Sequence, residues 1–491
     1  MAAFLLFTAM MFFRLDLHHN GVAITDKPFS AMGIEQTPGE TWMNILQSNT
    51  KIGYSHRRLT ASGEGYLIHE KTVMNINTMG LVQEIMVVSS STTNQDFALE
   101  KFEFSIASGT FNFVVNGQVK GNDLHLHTDS STNGGGAGEV NTVVIPLDNR
   151  PYLTSGLLPA TVASGLKPGN EMTLLLFDPS TMGQAPATVK MLGMESIDIN
   201  GDEISARKIS LSFKGATQWA WLDDQGQVLK EQGMLGITLV KTIQEEAMKD
   251  IVPEGLADLT KLASVPSNVT FQAPETLTKI QIKLSGVDIE NILLASKGTS
   301  QRRQTWDEDI LTIERETLGT LPAFMPPIAI SRVDDKFILP GLFIQSNNDQ
   351  IKGVAQRLVS SDNTPIENIG KLVAWIQANI RRQPVISLPN ALSTLKNRMG
   401  DCNEHAALMA AFCRSVGIPA GIEAGLVYLK GRFYYHAWNT VFIGRWITVD
   451  ALFNQIPADV THISLTAGSQ ESQLDLMGVM GKIELEVLSY K

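Results

Sequence analysis

Met399 to Pro419 reads M-G-D-C-N-E-H-A-A-L-M-A-A-F-C-R-S-V-G-I-P. Asp401 and Glu404 stand at the D-x-x-E spacing of a capping box, so a helix is predicted to begin at Cys402. Gly417 and Pro419 stop it. Cys402 then lies in the first helical turn, where unpaired N–H groups and the positive end of the dipole favour a thiolate. The second cysteine, Cys413, lies further along the same helix among Ala410, Ala411 and Phe412. Along an unbroken helix the two are about 16 Å apart. A disulfide needs Cα atoms within about 7 Å, so they cannot pair. Cys413 reads as a small core residue.

Downstream, Lys430-Gly431-Arg432 reads as a hairpin tip between Leu426–Leu429 and Phe433–Phe442. On the second strand Tyr434, His436, Trp438 and Thr440 share one face. Gly444-Arg445 turns the chain into Trp446–Asp450, and adjacent antiparallel strands can set Asp450 beside His436. A cysteine nucleophile needs a base, and the base needs an orienting partner. His436 can take the thiol proton and return it to a leaving amine. Asp450 can fix the imidazole tautomer and stabilise its charged form. Tyr434 and Trp438 would wall the site and bind substrate.

The runs GDCNEHAALMAAFCRSVGIPA and GRFYYHAWNTVFIGRWITVDALFNQ resemble the transglutaminase-like superfamily. The likeness covers roughly residues 350–491. It implies a papain-like core, a cysteine-bearing helix packed on an antiparallel sheet, and catalytic roles for Cys402, His436 and Asp450. Many relatives carry Pro-Thr after the aspartate, whereas Ala451-Leu452 follow Asp450 here, so the shape of that loop departs from the pattern. The region before the core resembles, diffusely, the β regions of exported bacterial members.

Residues 40 to 245 read as strands. Leu81–Val88, Phe102–Ile106, Phe111–Val115, Val143–Ile145, Thr173–Phe177 and Ile209–Phe213 are short apolar runs bounded by turn formers. Asn116-Gly117 and Asn200-Gly201 are hairpin dipeptides, and Gly134-Gly135-Gly136 is a loop. A large curved antiparallel sheet or open barrel is expected. Leu277–Leu284 and Ile310–Glu314 begin a second β unit, and Leu321–Pro327 is a stiff proline-rich segment. From Asp349 the period becomes helical, with Ile366, Ile369, Leu372, Val373, Ile376 and Ile380 on one face after Pro365.

The expected fold class is therefore α+β and multidomain. An export or signal-anchor segment spans 1–24, a large antiparallel β domain 36–250, a smaller β domain 265–345 and the catalytic core 346–491. Composition agrees with a folded chain: 43% hydrophobic and 18% charged residues in 491. A net charge of −11 with no basic run argues against nucleic acid as partner. Two cysteines exclude a disulfide framework. Ala2–Phe13 is uncharged and apolar, shorter than the roughly twenty residues that span a bilayer, and fits a secretory core or anchor. The expected location is outside the cytoplasm of a bacterium, with a membrane tether through the N-terminus.

Cys402, Glu404, His405 and His436 can be assembled on paper into a zinc set, but the triad explains the same residues more simply. His125 and His127 share a strand face and read as solvated. No metal and no cofactor is assigned. The functional expectation is a cysteine-dependent acyl-transfer enzyme cutting, or cross-linking, amide bonds of a peptide or cell-wall peptide, with hydrolysis favoured. The alternative is an inactive scaffold whose β domains bind a polymer, lipid or protein.

Overall fold

The computed structural model describes residues 38–109, 111–132, 141–147, 149–180, 183–213, 215–249, 251, 255–287, 303–318, 333–341, 343–385, 390–466 and 480–491. Ala2–Phe13, Gly134–Gly136 and Leu321–Pro327 lie outside them. They fall into two compact units, one ending at Leu259 and the other beginning at Thr260. Among the described residues no helix is long and apolar enough to cross a membrane.

The first unit is built on a 14-stranded antiparallel sheet. Its middle is the pair Gly39–Gln47 and Ile237–Thr242, so the two ends of the region meet at the centre. From there the sheet meanders outward, to Asn141–Pro146 at one edge and Glu171–Asp178 at the other. Alternation sets the buried face: in Leu99–Ser108, Phe102, Phe104 and Ile106 are buried while Lys101 and Glu103 are exposed. Asn200-Gly201 makes the expected two-residue turn, with φ of 59° and 96°.

Two expectations fail here. Asn116-Gly117 is not a turn: it lies inside the strand Phe111–Lys120, with Gly117 opposite Phe102. A Cβ on Gly117 would sit 1.9 Å from the Phe102 ring, so this glycine makes room for an aromatic neighbour. The region is also not all strand. Thr154–Ala163 is a helix with Pro159 inside it, and every residue from Thr154 to Val162 is buried. A helix buried all round has no polar face, so no amphipathic period betrays it. Two of its polar groups find partners: Arg57 donates to the Ser155 carbonyl at 2.7 Å and Thr161 Oγ1 to the Leu157 carbonyl at 2.7 Å.

The second unit carries the site. A four-stranded sheet runs in the order Gln304–Asp307, Ile310–Glu314, Lys279–Ser285, Glu484–Tyr490. Its last strand comes from the far end of the chain, across the boundary expected at 345/346. A five-stranded sheet has Arg432–Phe442 flanked on one side by Ala420–Leu429 and then Ile463–Thr466. On its other edge Arg432–Phe442 meets Val265–Pro266 at residues 432–433 and Trp446–Val449 at residues 439–442. The hairpin tip is Lys430-Gly431, both at positive φ, and Arg432 already belongs to the strand.

Helices Asp349–Leu358, Pro365–Asn379, Ala391–Asn397 and Cys402–Ser415 complete the unit. Thr364 and Glu367 form a capping box ahead of the second, with Pro365 in its first turn. Its Ile369, Leu372, Val373 and Ile376 share one core with Ala406–Cys413, Ile422, Val441 and Ile447.

Candidate active site

The helix predicted at Cys402 is present over Cys402–Ser415, with Asp401 and Glu404 in a reciprocal capping box. Asp401 Oδ1 accepts from Asn403 N–H at 2.9 Å, and Glu404 Oε2 accepts from Asp401 N–H at 3.0 Å. The helix is unbroken, both cysteines are free, and Cys413 is fully buried. Burial pushes the Cys413 thiol up to about 12, as suits a core residue.

Cys402 is half-buried at the edge of the same core. The Ala437 main-chain N–H is directed to its sulfur. Sheet topology explains why that N–H is available. Among the described residues, no strand pairs with residues 434–438 on the outer edge of Arg432–Phe442, because one neighbour stops at 433 and the other begins at 439. The gap admits the start of the cysteine helix.

The thiolate expected from the helix start alone is not what this environment favours. Burial first, then Asp401, and to a smaller extent Glu404 and Asp450 push the thiol well above its ordinary value; the Ala437 N–H, ahead of those last two in size, pulls the other way. The helix-start dipole acts on a group ringed by carboxyl groups. A resting thiol needs a base to become a nucleophile.

His436 and Asp450 meet as the strand pairing implied. Asp450 follows the strand Trp446–Val449, and its Oδ2 accepts from His436 Nε2 at 2.7 Å. Both side chains are buried. With Nε2 committed to Asp450, Nδ1 is the ring atom left to act as base. Phe453 stacks on the imidazole, centroids 4.9 Å apart and planes 15° apart. Asp450 Oδ1 accepts from the N–H groups of Leu452 and Phe453 at 2.7 and 2.8 Å. The non-consensus Ala451-Leu452 thus still closes a turn around the carboxylate, and Gln377 Nε2 clasps the Ala451 and Leu452 carbonyls.

Sequence reasoning missed His462. It is fully buried, and both ring nitrogens face carboxylates: Nε2 lies 3.0 Å from Asp450 Oδ2 and Nδ1 lies 3.2 Å from Asp459 Oδ1. Asp459 is itself held by Thr461 N–H and Oγ1 and by Gln455 Nε2. The route to His462 crosses Gly425, which pairs with His436 on one side and Ser464 on the other. A Cβ there would lie 1.9 Å from the Ile463 carbonyl oxygen, so only glycine lets the strand Ile463–Thr466, which His462 immediately precedes, come this close. The signal available was the run A-D-V-T-H after Pro457, which carries no spacing rule linking it to His436.

Tyr434 is half-buried, two residues before His436 on its strand face. Trp438 is 1% exposed, with its indole N–H donated to Glu423 Oε2 at 3.1 Å and its ring 5.1 Å from His462. It forms the interior floor beneath the two histidines. His405 is also buried: Nδ1 lies 2.7 Å from the Asp401 carbonyl, and burial lowers its pKa.

One donor atom each from His436, Asp450 and His462 lie within 4.8 Å of one another, close enough to hold a metal ion. The same atoms are already joined by hydrogen bonds of 2.7 and 3.0 Å, so shared protons account for their closeness.

Burial alone would raise the Asp450 carboxyl and depress His462. Facing charges and hydrogen bonds reverse both: His436 and His462 hold Asp450 well below the carboxylate range, and the bonds to Asp450 and Asp459 lift His462 to about 8. Asp459 is held low chiefly by His462, against its own burial. These shifts set a pH window for stability. A histidine lifted from 6.5 to about 8 stabilises the fold fully below about pH 6.5 and loses that contribution as pH rises through 8. The loss is about 2 kcal/mol. The two depressed aspartates act oppositely, stabilising above about pH 4 and failing as pH falls. Denaturant midpoints across pH 4–9 should therefore decline from about pH 6.5 upward, and His462→Gln should flatten that alkaline decline. An equal decline in the variant would show that His462 does not cause it.

Residues 352–451 match the family model of the Transglutaminase-like superfamily. No curated protein matches the chain. Two solved structures are similar over parts of it. One is from Cytophaga hutchinsonii and is described as a "Putative Cysteine Protease": 15% identity, 44% of this chain and 86% of that one, TM-score 0.27. The other is a beta-barrel-like protein of a domain of unknown function from Brucella abortus: 10% identity, 43% of this chain and 96% of that one, TM-score 0.32. The stretch from 352 to 451 is a transglutaminase-like domain, carried in one chain with a large antiparallel β sheet.

Proposed function

We propose that this domain is a cysteine-dependent acyl-transfer catalyst acting on amide bonds. The observation that carries the reading is the 2.7 Å bond between His436 Nε2 and Asp450 Oδ2, on the strand whose Ala437 N–H is directed to Cys402. His436 Nδ1 takes the proton of the Cys402 thiol as sulfur adds to the substrate carbonyl. The Asp401 carboxylate occupies the N–H groups of Asn403 and Glu404, so the Cys402 N–H is the helix-start donor for the oxyanion. His436 then protonates the departing amine and leaves a thioester on Cys402. Water, its proton taken by His436, releases the acid; an amine in its place gives a cross-link.

Hydrolysis of a peptide or cell-wall peptide is the favoured outcome, in a chain exported and tethered through Ala2–Phe13. Fractionation that finds the full chain wholly in the cytoplasm would remove the second part of this reading.

The test is incubation of wild type and Cys402→Ala with a peptide library and a wall-peptide digest, with and without a labelled primary amine. New amino termini that need Cys402 mean hydrolysis; label incorporation means transfer. Neither product, together with Cys402 alkylation by iodoacetamide no faster in wild type than in His436→Ala, means an inactive scaffold.

A further inference from the structure

We infer that His462 is a positioning residue that holds a positive charge against Asp450 and so keeps His436 Nδ1 free of a proton, available as the base. The inference rests on the Cys402–His436–Asp450 reading and adds a fourth member to it.

Asp450 Oδ2 receives His436 Nε2 at 2.7 Å and His462 Nε2 at 3.0 Å, and Oδ1 receives two main-chain N–H groups. Every direction around this carboxylate is filled by a donor, so both Nε2 atoms carry hydrogen. For His436 one hydrogen on Nε2 is enough. His462 differs, because its Nδ1 also faces a carboxylate, Asp459 Oδ1, at 3.2 Å. That oxygen also accepts from Thr461 N–H and Oγ1, so it cannot be the donor. A neutral imidazole would aim a lone pair at one carboxylate or the other. Only the imidazolium satisfies both.

The charged groups facing His462 are few. Asp450 and Asp459 stand before its two nitrogens, and His436 lies beyond Asp450 with ring centroids 5.8 Å apart. Trp438 and Phe453 present rings edge-on. Arg303 reaches only its main-chain carbonyl, with Glu316 behind it, and Glu423 is bound to the Trp438 indole.

Two carboxylates and one imidazolium leave the cluster with one negative charge, which is neutralised when His436 accepts the thiol proton. Without the charge on His462, two negative charges would face His436. That would favour the charged imidazolium over the neutral base the reaction needs. An imidazolium charge at roughly 6 Å, through an effective dielectric of about 20, sets the expected displacement of the alkylation profile at about one to two pH units.

The experiment reads the pH dependence of iodoacetamide alkylation at Cys402, followed by peptide mass with buried Cys413 as internal control, in the full chain. It compares wild type, His462→Gln, Asp459→Asn and His436→Ala. The Cys–His pair titrates as a unit. The lower step of the profile should move up by about one to two units in His462→Gln, and by less in Asp459→Asn, with the plateau rate retained. A purely structural role for His462 would lower rates at every pH and leave the midpoint fixed. Midpoints unchanged in both variants overturn the inference. A wild-type profile with no step that His436→Ala abolishes overturns instead the underlying Cys402–His436 pairing.

Discussion

Asp450→Asn is expected to lower turnover about 10⁴-fold, the scale set by the equivalent change in serine hydrolases. The reason is specific to the carboxylate's surroundings. Oδ2 faces two histidine N–H groups and Oδ1 faces the N–H groups of Leu452 and Phe453. An asparagine must turn its NH2 toward one pair or the other. Turned to the histidines, it forces the His436 hydrogen onto Nδ1, the atom that must accept the thiol proton. Turned inward, it sets donor against donor at the turn and costs about 1–3 kcal/mol of stability. Cys402→Ala and His436→Ala should each abolish turnover, and the double change should add little, because the residues act as a unit. Cys413→Ala should keep turnover and cost about 1 kcal/mol of packing. Single-turnover rates beside unfolding midpoints separate these cases. An Asp450→Asn enzyme within tenfold of wild type would refute the orienting role.

The placement of Cys402, His436 and Asp450 was legible because it follows local rules. A capping box marks a helix start, a Gly-centred turn marks a hairpin, and period two places Tyr434, His436 and Trp438 on one face. Asp450 came within reach because the connection through Gly444 is too short for anything but an adjacent strand. The rest depends on contacts far apart in sequence. Gly117 looked like a turn because its dipeptide is one, yet its role is set by the ring of Phe102 on the next strand. The helix at Thr154–Ala163 has no polar face to give it away. The upward push on the Cys402 thiol comes from burial first and then from Asp401, Glu404 and Asp450, and the helix start was visible without any of these. His462 immediately precedes the strand on the far side of Ala420–Leu429, and only that intervening strand, with Gly425 in its middle, connects it to His436.

Arg303 extends that lesson and carries the largest stability effect expected in the site unit. It is 5% exposed, and nothing in its sequence neighbourhood singles it out. Nη1 donates to Glu316 Oε2, Thr448 Oγ1 and the Ala458 carbonyl, at 3.2, 2.9 and 2.9 Å. Nη2 donates to the carbonyls of Asp459 and His462, at 2.7 and 3.0 Å. The adjacent Gln304 pairs with both main-chain groups of Ser464. One strand end thereby fastens the whole turn that presents Asp459 and His462 to Asp450. Arg303→Ala removes the four N–H groups that meet these five acceptors and leaves three buried carbonyls and the half-buried Glu316 carboxylate without their cation. Loss of one partner from such a buried set costs about 3–5 kcal/mol. Lysine should recover only part of it, because a single ammonium cannot span acceptors arranged for the two ends of a planar guanidinium. Hydrogen exchange gives the sharpest readout: protection of the amides from Ala458 to Ser464 should fall about 10²- to 10³-fold, ahead of any change in helix Pro365–Asn379. The alkylation midpoint of Cys402 should drift upward with it, because a loosened His462 no longer holds its charge against Asp450. Protection within threefold of wild type would mean that the strand pairing and Gln304 hold the turn without Arg303.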